Sequence, residues 1–298
     1  MAHIEKVNIF DAVAKNKRNS VILILVMAIL VFLGVIILAS LLELGEIGFV
    51  IALILVLIYV LFAYNAGAST ILSISGAREV QENEEPFIRN VVEGLALAAG
   101  IPKPRIWIIE DEAMNAFATG MEPKNSHIVF TRGILKNMKR EELEGVAAHE
   151  ISHIANYDIR FITIAIIMIG AIAIIGEFAL RYIGYGGRWR SSDSKKGSSY
   201  ILIIALIFAI LAPIFAELIK FAISREREYL ADANGAKLTR YPEGLASALE
   251  KIKGHANVST ATKATASLFI SNPFENKFTG LFATHPPIDD RVKRLRAM

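Results

Sequence analysis

No cysteine occurs among the 298 residues, which excludes disulfides, thiolate nucleophiles and sulfur ligands for a metal. A zinc site in this chain would have to be made from His, Glu and Asp, and histidine itself is scarce, at six. Charge is thin as well: 20% of residues are charged against 54% hydrophobic, with a mean hydropathy of +0.46. The apolar residues lie in blocks rather than evenly, which points to a membrane protein. Also missing are an internal repeat and a G-x-x-x-x-G-K-[ST] phosphate loop, so no nucleotide is expected. The net charge of +3 and pI near 9.0 suit basic flanks around membrane spans, and the basic residues form no stripe for a nucleic acid.

Four apolar blocks are present. Val21 to Leu42 and Ile47 to Ala77 carry no charge and are separated only by Glu43-Leu-Gly-Glu46, so they read as a transmembrane hairpin. The first run is longer than a cleaved signal peptide's core and is expected to be a retained anchor. Phe161 to Leu180, with Glu177, and Tyr200 to Phe221, with Pro213 and Glu217, predict a second hairpin. Lys6, Lys15, Lys17 and Arg18 precede the first span while the first loop has no basic residue, which puts the N-terminus and the segment 78–160 in the cytoplasm, at the inner membrane of a cell. The Gly/Ser-rich loop Arg181 to Ser199 runs against this, with five basic residues on the expected outer side.

Between and after the hairpins, patterning predicts a helix over Asn83 to Ala99 ending at Gly100. Short strands are expected at Arg105 to Ile109, Asn115 to Thr119 and His127 to Thr131, forming a small antiparallel or mixed sheet. A helix over Arg140 to Asp158 is expected to continue into the third span, and further helices to cover Pro242 to Lys253 and Asp289 to Arg296. The expected organisation is a hairpin at 1–77, a first catalytic part at 78–160, a second hairpin at 161–223 and a second catalytic part at 224–298.

In His149-Glu150-Ile151-Ser152-His153 the two histidines are four apart, so on a helix they share a face and can hold one ion. Glu150, one position from the first ligand, can reach a water on that ion without binding it. A third ligand is offered by Glu228 in "SREREYLADANGA", with Asp232 one turn on and able to accept the free ring N–H of a ligating histidine. Alone, Glu228 reads as an acid in a solvated charge run; beside His149 and His153 it reads as a ligand. His153 lies eight residues before Phe161 and Glu228 seven after Phe221, so both would stand about 10 to 12 Å from the hydrocarbon edge. The even number of spans between them returns both to one side.

These features resemble an HtpX-type membrane metalloprotease, a gluzincin related to the CAAX prenyl endopeptidases. The resemblance extends over nearly the whole chain, through "NAFATG" at Asn115 to Gly120, "HEISHIANYD" at His149 to Asp158, "SREREYLADANGA" and "THPPIDDR" at Thr284 to Arg291. It implies a multi-pass α-helical membrane protein with four transmembrane helices and an α+β zincin-like catalytic domain. One Zn(2+) per chain would be bound by His149, His153 and Glu228, with Glu150 as general base and Asp232 behind a ligand. It further implies that Asn115, Ala116 and Phe117 lie beside the bound substrate and that His285 stabilises the oxyanion. His3, His127 and His255 match nothing catalytic.

The function expected is zinc-dependent cleavage of peptide bonds in membrane or misfolded proteins, a quality-control role that the resemblance implies. Two alternatives stand beside it. An intramembrane metalloprotease would bury the H-E-x-x-H motif in a span, whereas Lys139 to Glu142 and Asp158 to Arg160 flank it here. A non-catalytic membrane zinc-binding or scaffold protein would have no need of Glu150.

Overall fold

A computed structural model describes residues 9–41, 44–167, 170, 225–262, 265–274 and 285–298. The expected fourth span, most of the third and the loop between them lie outside the described residues. Two long helices come first, α1 (Ile9–Leu41) and α2 (Gly45–Ile74). Both are long and apolar enough to cross a membrane, over Val13–Ile36 and Gly45–Ile74. Their outward Leu, Ile and Val side chains are exposed, as a lipid-facing surface requires.

The rest builds a mixed sheet covered by helices. After β1 (Arg78–Glu79) come α3 (Pro86–Ala99), β2 (Arg105–Ile109), β3 (Ala116–Gly120), a 3-10 turn at Pro123–Asn125 and β4 (Ser126–Thr131). The strand order is β1-β2-β4-β3, with β2 parallel to β4 and the outer pairs antiparallel. Proline at the start of α3 and left-handed Gly100 at its end fix that helix, which begins at Pro86 rather than at Asn83. β3 is therefore an edge strand, although every residue in it is buried.

Then follow α4 (Arg132–Asn137), α5 (Arg140–Ala155), a helical stretch α6 over residues 158–167, α7 (Arg225–Thr239), α8 (Pro242–Ile252) and α9 (Ile288–Leu295). The expected continuous helix from Arg140 into the third span is broken. Tyr157 takes a left-handed φ of 62°, so α5 stops and α6 sets off in a new direction. α5 is the central helix, buried from Glu142 to Ile154 apart from Glu144. Its start is fixed by the Glu142 carboxylate, which accepts from the Lys139 N–H at 2.7 Å and from Lys251 Nζ at 2.7 Å. Its neighbours come close because two side chains are missing. A Cβ on Gly145 would meet the Leu245 nitrogen at 2.6 Å, and one on Gly235 the His149 nitrogen at 3.1 Å.

Candidate metal centre

The helical spacing of four brings the rings of His149 and His153 to 4.7 Å between centroids, with both Nε2 atoms turned to one point, 3.2 Å apart. α7 lies across α5 and closes the triangle. Glu228 Oε1 is 3.5 Å from His153 Nε2, and its Oε2 is 3.8 Å from His149 Nε2. A tetrahedral zinc with 2.0–2.1 Å bonds spaces its ligand atoms by about 3.3 Å, close to all three distances. The donor set is nitrogen, nitrogen and carboxylate oxygen, all buried, and the three residues form a group able to hold a metal ion.

A second observation agrees. Glu228 Oε2 and both ring nitrogens of His285 are buried without a hydrogen bond. His285 Nδ1 comes within 3.0 Å of Glu228 Oε2, but the geometry makes no hydrogen bond. A buried carboxylate oxygen is costly to leave unsatisfied, and a cation in the triangle would satisfy it. The residues present fit a metal ion.

Each histidine is held from behind. His149 Nδ1 lies 2.9 Å from Asp232 Oδ1, and His153 Nδ1 lies 3.0 Å from Asp158 Oδ2. Carboxylates at Nδ1 fix the tautomer that leaves Nε2 free for a ligand bond. Burial, helped by the Arg291 charge and opposed by Asp232, pushes the His149 pKa down to about 4. For His153 burial acts the same way but is outweighed by Asp158 and Glu228, which hold its pKa up at about 9.

Arg291, on α9, has no exposed surface. Its Nε and Nη2 donate to both oxygens of Asp232 at 2.9 and 2.7 Å, and its Nη1 to the Ile270 carbonyl at 2.9 Å. Burial raises the Asp232 carboxyl, but the guanidinium overcomes it and brings the pKa to about 2. Burial raises the Glu228 carboxyl, but His285 first, then His153 and Arg291, hold it well below the usual carboxylate range.

Glu150 is buried beside the triangle, close enough to feel His153 and Glu228, and the Ala118 N–H of β3 faces its carboxylate. Burial, abetted by Glu228 and opposed by His153 and Arg291, raises its pKa to about 7. That value suits a base working near neutrality.

Residues 82–298 match the profile of "Peptidase family M48". The chain belongs to this family. A "Protease HtpX homolog" of Dictyoglomus thermophilum is 49% identical over 290 residues, covering 97% of this chain and 94% of that one. Another, of Lactobacillus helveticus, is 42% identical over 297 residues, covering 97% and 100%. Among solved structures the fold is similar to that of S. mikatae Ste24p, with a TM-score of 0.51 at 18% identity over 95% of this chain and 67% of that one. The chain is thus an HtpX-type M48 metalloprotease, and the reading as a non-catalytic binding protein falls away.

In this M48 chain the residues singled out from sequence are brought together unevenly. His149, Glu150, His153, Glu228, Asp232 and His285 converge. Asn115 and Phe117 turn their side chains inward. The Asn115 amide donates to the Ala256 and Ser271 carbonyls at 3.0 Å each, and Phe117 packs edge-on against Phe269 at 5.1 Å. What β3 turns outward is backbone: the Ala116 carbonyl, which accepts from Ile270 N at 2.9 Å, and the Ala118 N–H. Asp158 and Arg291, which the sequence alone does not single out as functional, stand at the ends of HEISHIANYD and THPPIDDR. Their signal was position alone, five residues after His153 and six after His285.

Proposed function

We propose that this chain is a zinc-dependent endopeptidase that cuts peptide bonds in membrane or misfolded proteins, as part of protein quality control. Its catalytic domain faces the cytoplasm from the inner membrane. The observation that supports this best is the convergence of His149, His153 and Glu228 ligand atoms within 4.8 Å of one another, with buried Glu150 beside them. In this reading 1–77 is the anchor, 161–223 a second hairpin, and 78–160 with 224–298 form one catalytic domain.

Zinc, held one per chain by His149, His153 and Glu228, supplies Lewis acidity that polarises a scissile carbonyl and acidifies water. The chain's own groups do the rest. Glu150 takes a proton from the attacking water and returns it to the leaving amine as the C–N bond breaks. The Ala118 N–H of β3 faces the Glu150 carboxylate. His285 is the side chain available to donate to the developing oxyanion. Asn115, Ala116 and Phe117 would lie beside an extended substrate, whose main-chain hydrogen bonds would go to β3 beyond Ala116, since the Ala116 carbonyl already accepts from Ile270 N; such bonds give affinity with little sequence preference.

The test is proteolysis by the purified full chain in detergent, on unfolded casein, with chelator and then with zinc restored. Cleavage should stop with chelator and return with zinc. Cleavage that persists in a demonstrably metal-free protein would sink the proposal.

A further inference from the structure

The two histidines share one device, a carboxylate at Nδ1 with a donor behind it. For His149 the carboxylate is Asp232 and the donor is Arg291 on α9. For His153 the carboxylate is Asp158, and the donor comes from the first apolar helix. Asn16, on α1, is 6% exposed between exposed Lys15 and Lys17. Its Nδ2 gives one hydrogen bond to Asp158 Oδ1 at 2.7 Å and one to the Asn156 carbonyl at 2.9 Å. Both oxygens of Asp158 are therefore engaged, one by Asn16 and one by His153 at 3.0 Å.

The grip extends to the whole turn. Lys17 Nζ sits 4.2 Å over the Tyr157 ring, and Tyr157 is the residue forced into the left-handed region between α5 and α6. A non-glycine residue there costs on the order of 1 kcal/mol and persists only where its surroundings over-determine it. Here those surroundings include α1. Ser20 Oγ donates to the Asn16 carbonyl at 2.8 Å, one turn along, at the level where the uncharged run begins.

We propose that Asn16 is a positioning residue for the metal centre: the base of the first apolar helix holds Asp158 where it accepts the Nδ1 proton of His153, and so aims His153 Nε2 at the metal position. An amide suits this place because one nitrogen supplies two protons, to a carboxylate and a carbonyl, without adding charge. A leucine of similar size would leave Asp158 Oδ1 and the Asn156 carbonyl buried and unpaired. The anchor thereby becomes part of the catalytic apparatus. This inference rests on the reading of His153 as a metal ligand.

The experiment uses the full chain in detergent, stripped of metal, with zinc affinity measured by competition against a chromogenic chelator. Folding is followed in parallel by thermal unfolding of the metal-free protein. Asn16→Ala should weaken zinc about 10-fold and Asp158→Asn about 10- to 100-fold, the scale seen when a group behind a metal ligand is lost. The double variant should be no weaker than Asp158→Asn alone, because Asn16 acts only through that carboxylate. Asn16→Leu, which fills the same space, replaces Asn16→Ala if the smaller side chain does not fold. Wild-type zinc affinity in these variants, with only the melting temperature lowered, would overturn the inference, as would fold-losses that multiply in the double variant. A wild-type protein that binds no zinc would instead overturn the metal reading itself.

Discussion

Arg291 and Asp232 form a fully buried two-point ion pair, Nε to Oδ2 at 2.9 Å and Nη2 to Oδ1 at 2.7 Å, directly behind the ligating edge of His149. Removing one partner of such a pair strands the other charge, which typically costs about 3 to 5 kcal/mol. Arg291→Ala should therefore lower stability on that scale and weaken zinc binding together. Arg291→Lys should rescue little, because an ammonium cannot match the fork. Chemical denaturation and zinc titration of the three proteins check this, and a wild-type-like lysine variant would contradict it.

Glu150 and Glu228 are both buried acids of the site with opposite expected phenotypes. Glu228 completes the donor triangle, so Glu228→Ala should lose metal and activity together. Glu150 lies outside it, so Glu150→Gln should keep zinc near one equivalent while the rate falls by about 10² to 10⁴. Metal content by mass spectrometry beside casein cleavage separates the two. Full activity in Glu150→Gln would remove it from the proton path.

The metal site was legible because its residues repeat at helical spacing: His149 with His153, Glu228 with Asp232. Spacing of that kind survives without knowledge of the fold. Asn16 meets Asp158 across 142 residues and Arg291 meets Asp232 across 59, so only tertiary structure reveals them, while Asp158, five residues from His153, stands at no helical spacing that would mark it. The break after α5 was hidden for a different reason. Tyr157 is not a residue that announces a left-handed turn, and the Lys17 contact on its ring comes from 140 residues away. The two residues of β1 were equally hidden, since their pairing depends on β2 rather than on their own composition.

His127 gives a pH dependence well away from the metal. Its Nδ1 accepts from Trp107 Nε1 at 3.0 Å, and burial with the nearby Arg105 pushes its pKa down to about 4. Because the folded value lies below the unfolded value of about 6.5, this contribution is fully present above pH 6.5 and is lost as pH falls toward 4. Protonation would also cost Trp107 its acceptor. Discounted for partial exposure, the loss at pH 4.5 is about 1 to 2 kcal/mol. Thermal unfolding from pH 7 to 4.5 should fall less steeply in His127→Gln than in wild type; parallel curves would rule this out.

Orientation is tested through the absence of cysteine, which makes single-cysteine labelling clean. Lys139 and Lys237 are exposed, on the N-terminal flank of α5 and the last turn of α7. Cysteines at both should react with an impermeant maleimide only after the inner membrane is opened. Labelling of both in intact spheroplasts would reverse the orientation.

Ala118 brings the edge strand to the base, with its N–H facing the Glu150 carboxylate. Ala118→Pro deletes that donor and adds two ring carbons at a buried position. The residue faces away from β4 in the hydrogen-bonding sense, since the Ala116 carbonyl two positions earlier bonds outward to Ile270. The proline therefore removes no bond between β3 and β4, and the sheet should survive. One N–H is lost, and it serves one user at a time: Glu150 in the free protein, or an extended substrate lying on β3 once that is bound. Cleavage of casein should fall by about 10² or more while zinc stays near one equivalent, because the substitution leaves His149, His153 and Glu228 in place. A shortened peptide substrate separates the causes: with loss of docking alone KM rises and kcat is kept, whereas misaligned Glu150 lowers kcat. A folded, zinc-loaded Ala118→Pro protein with wild-type kcat and KM would show that this edge takes no part in the reaction.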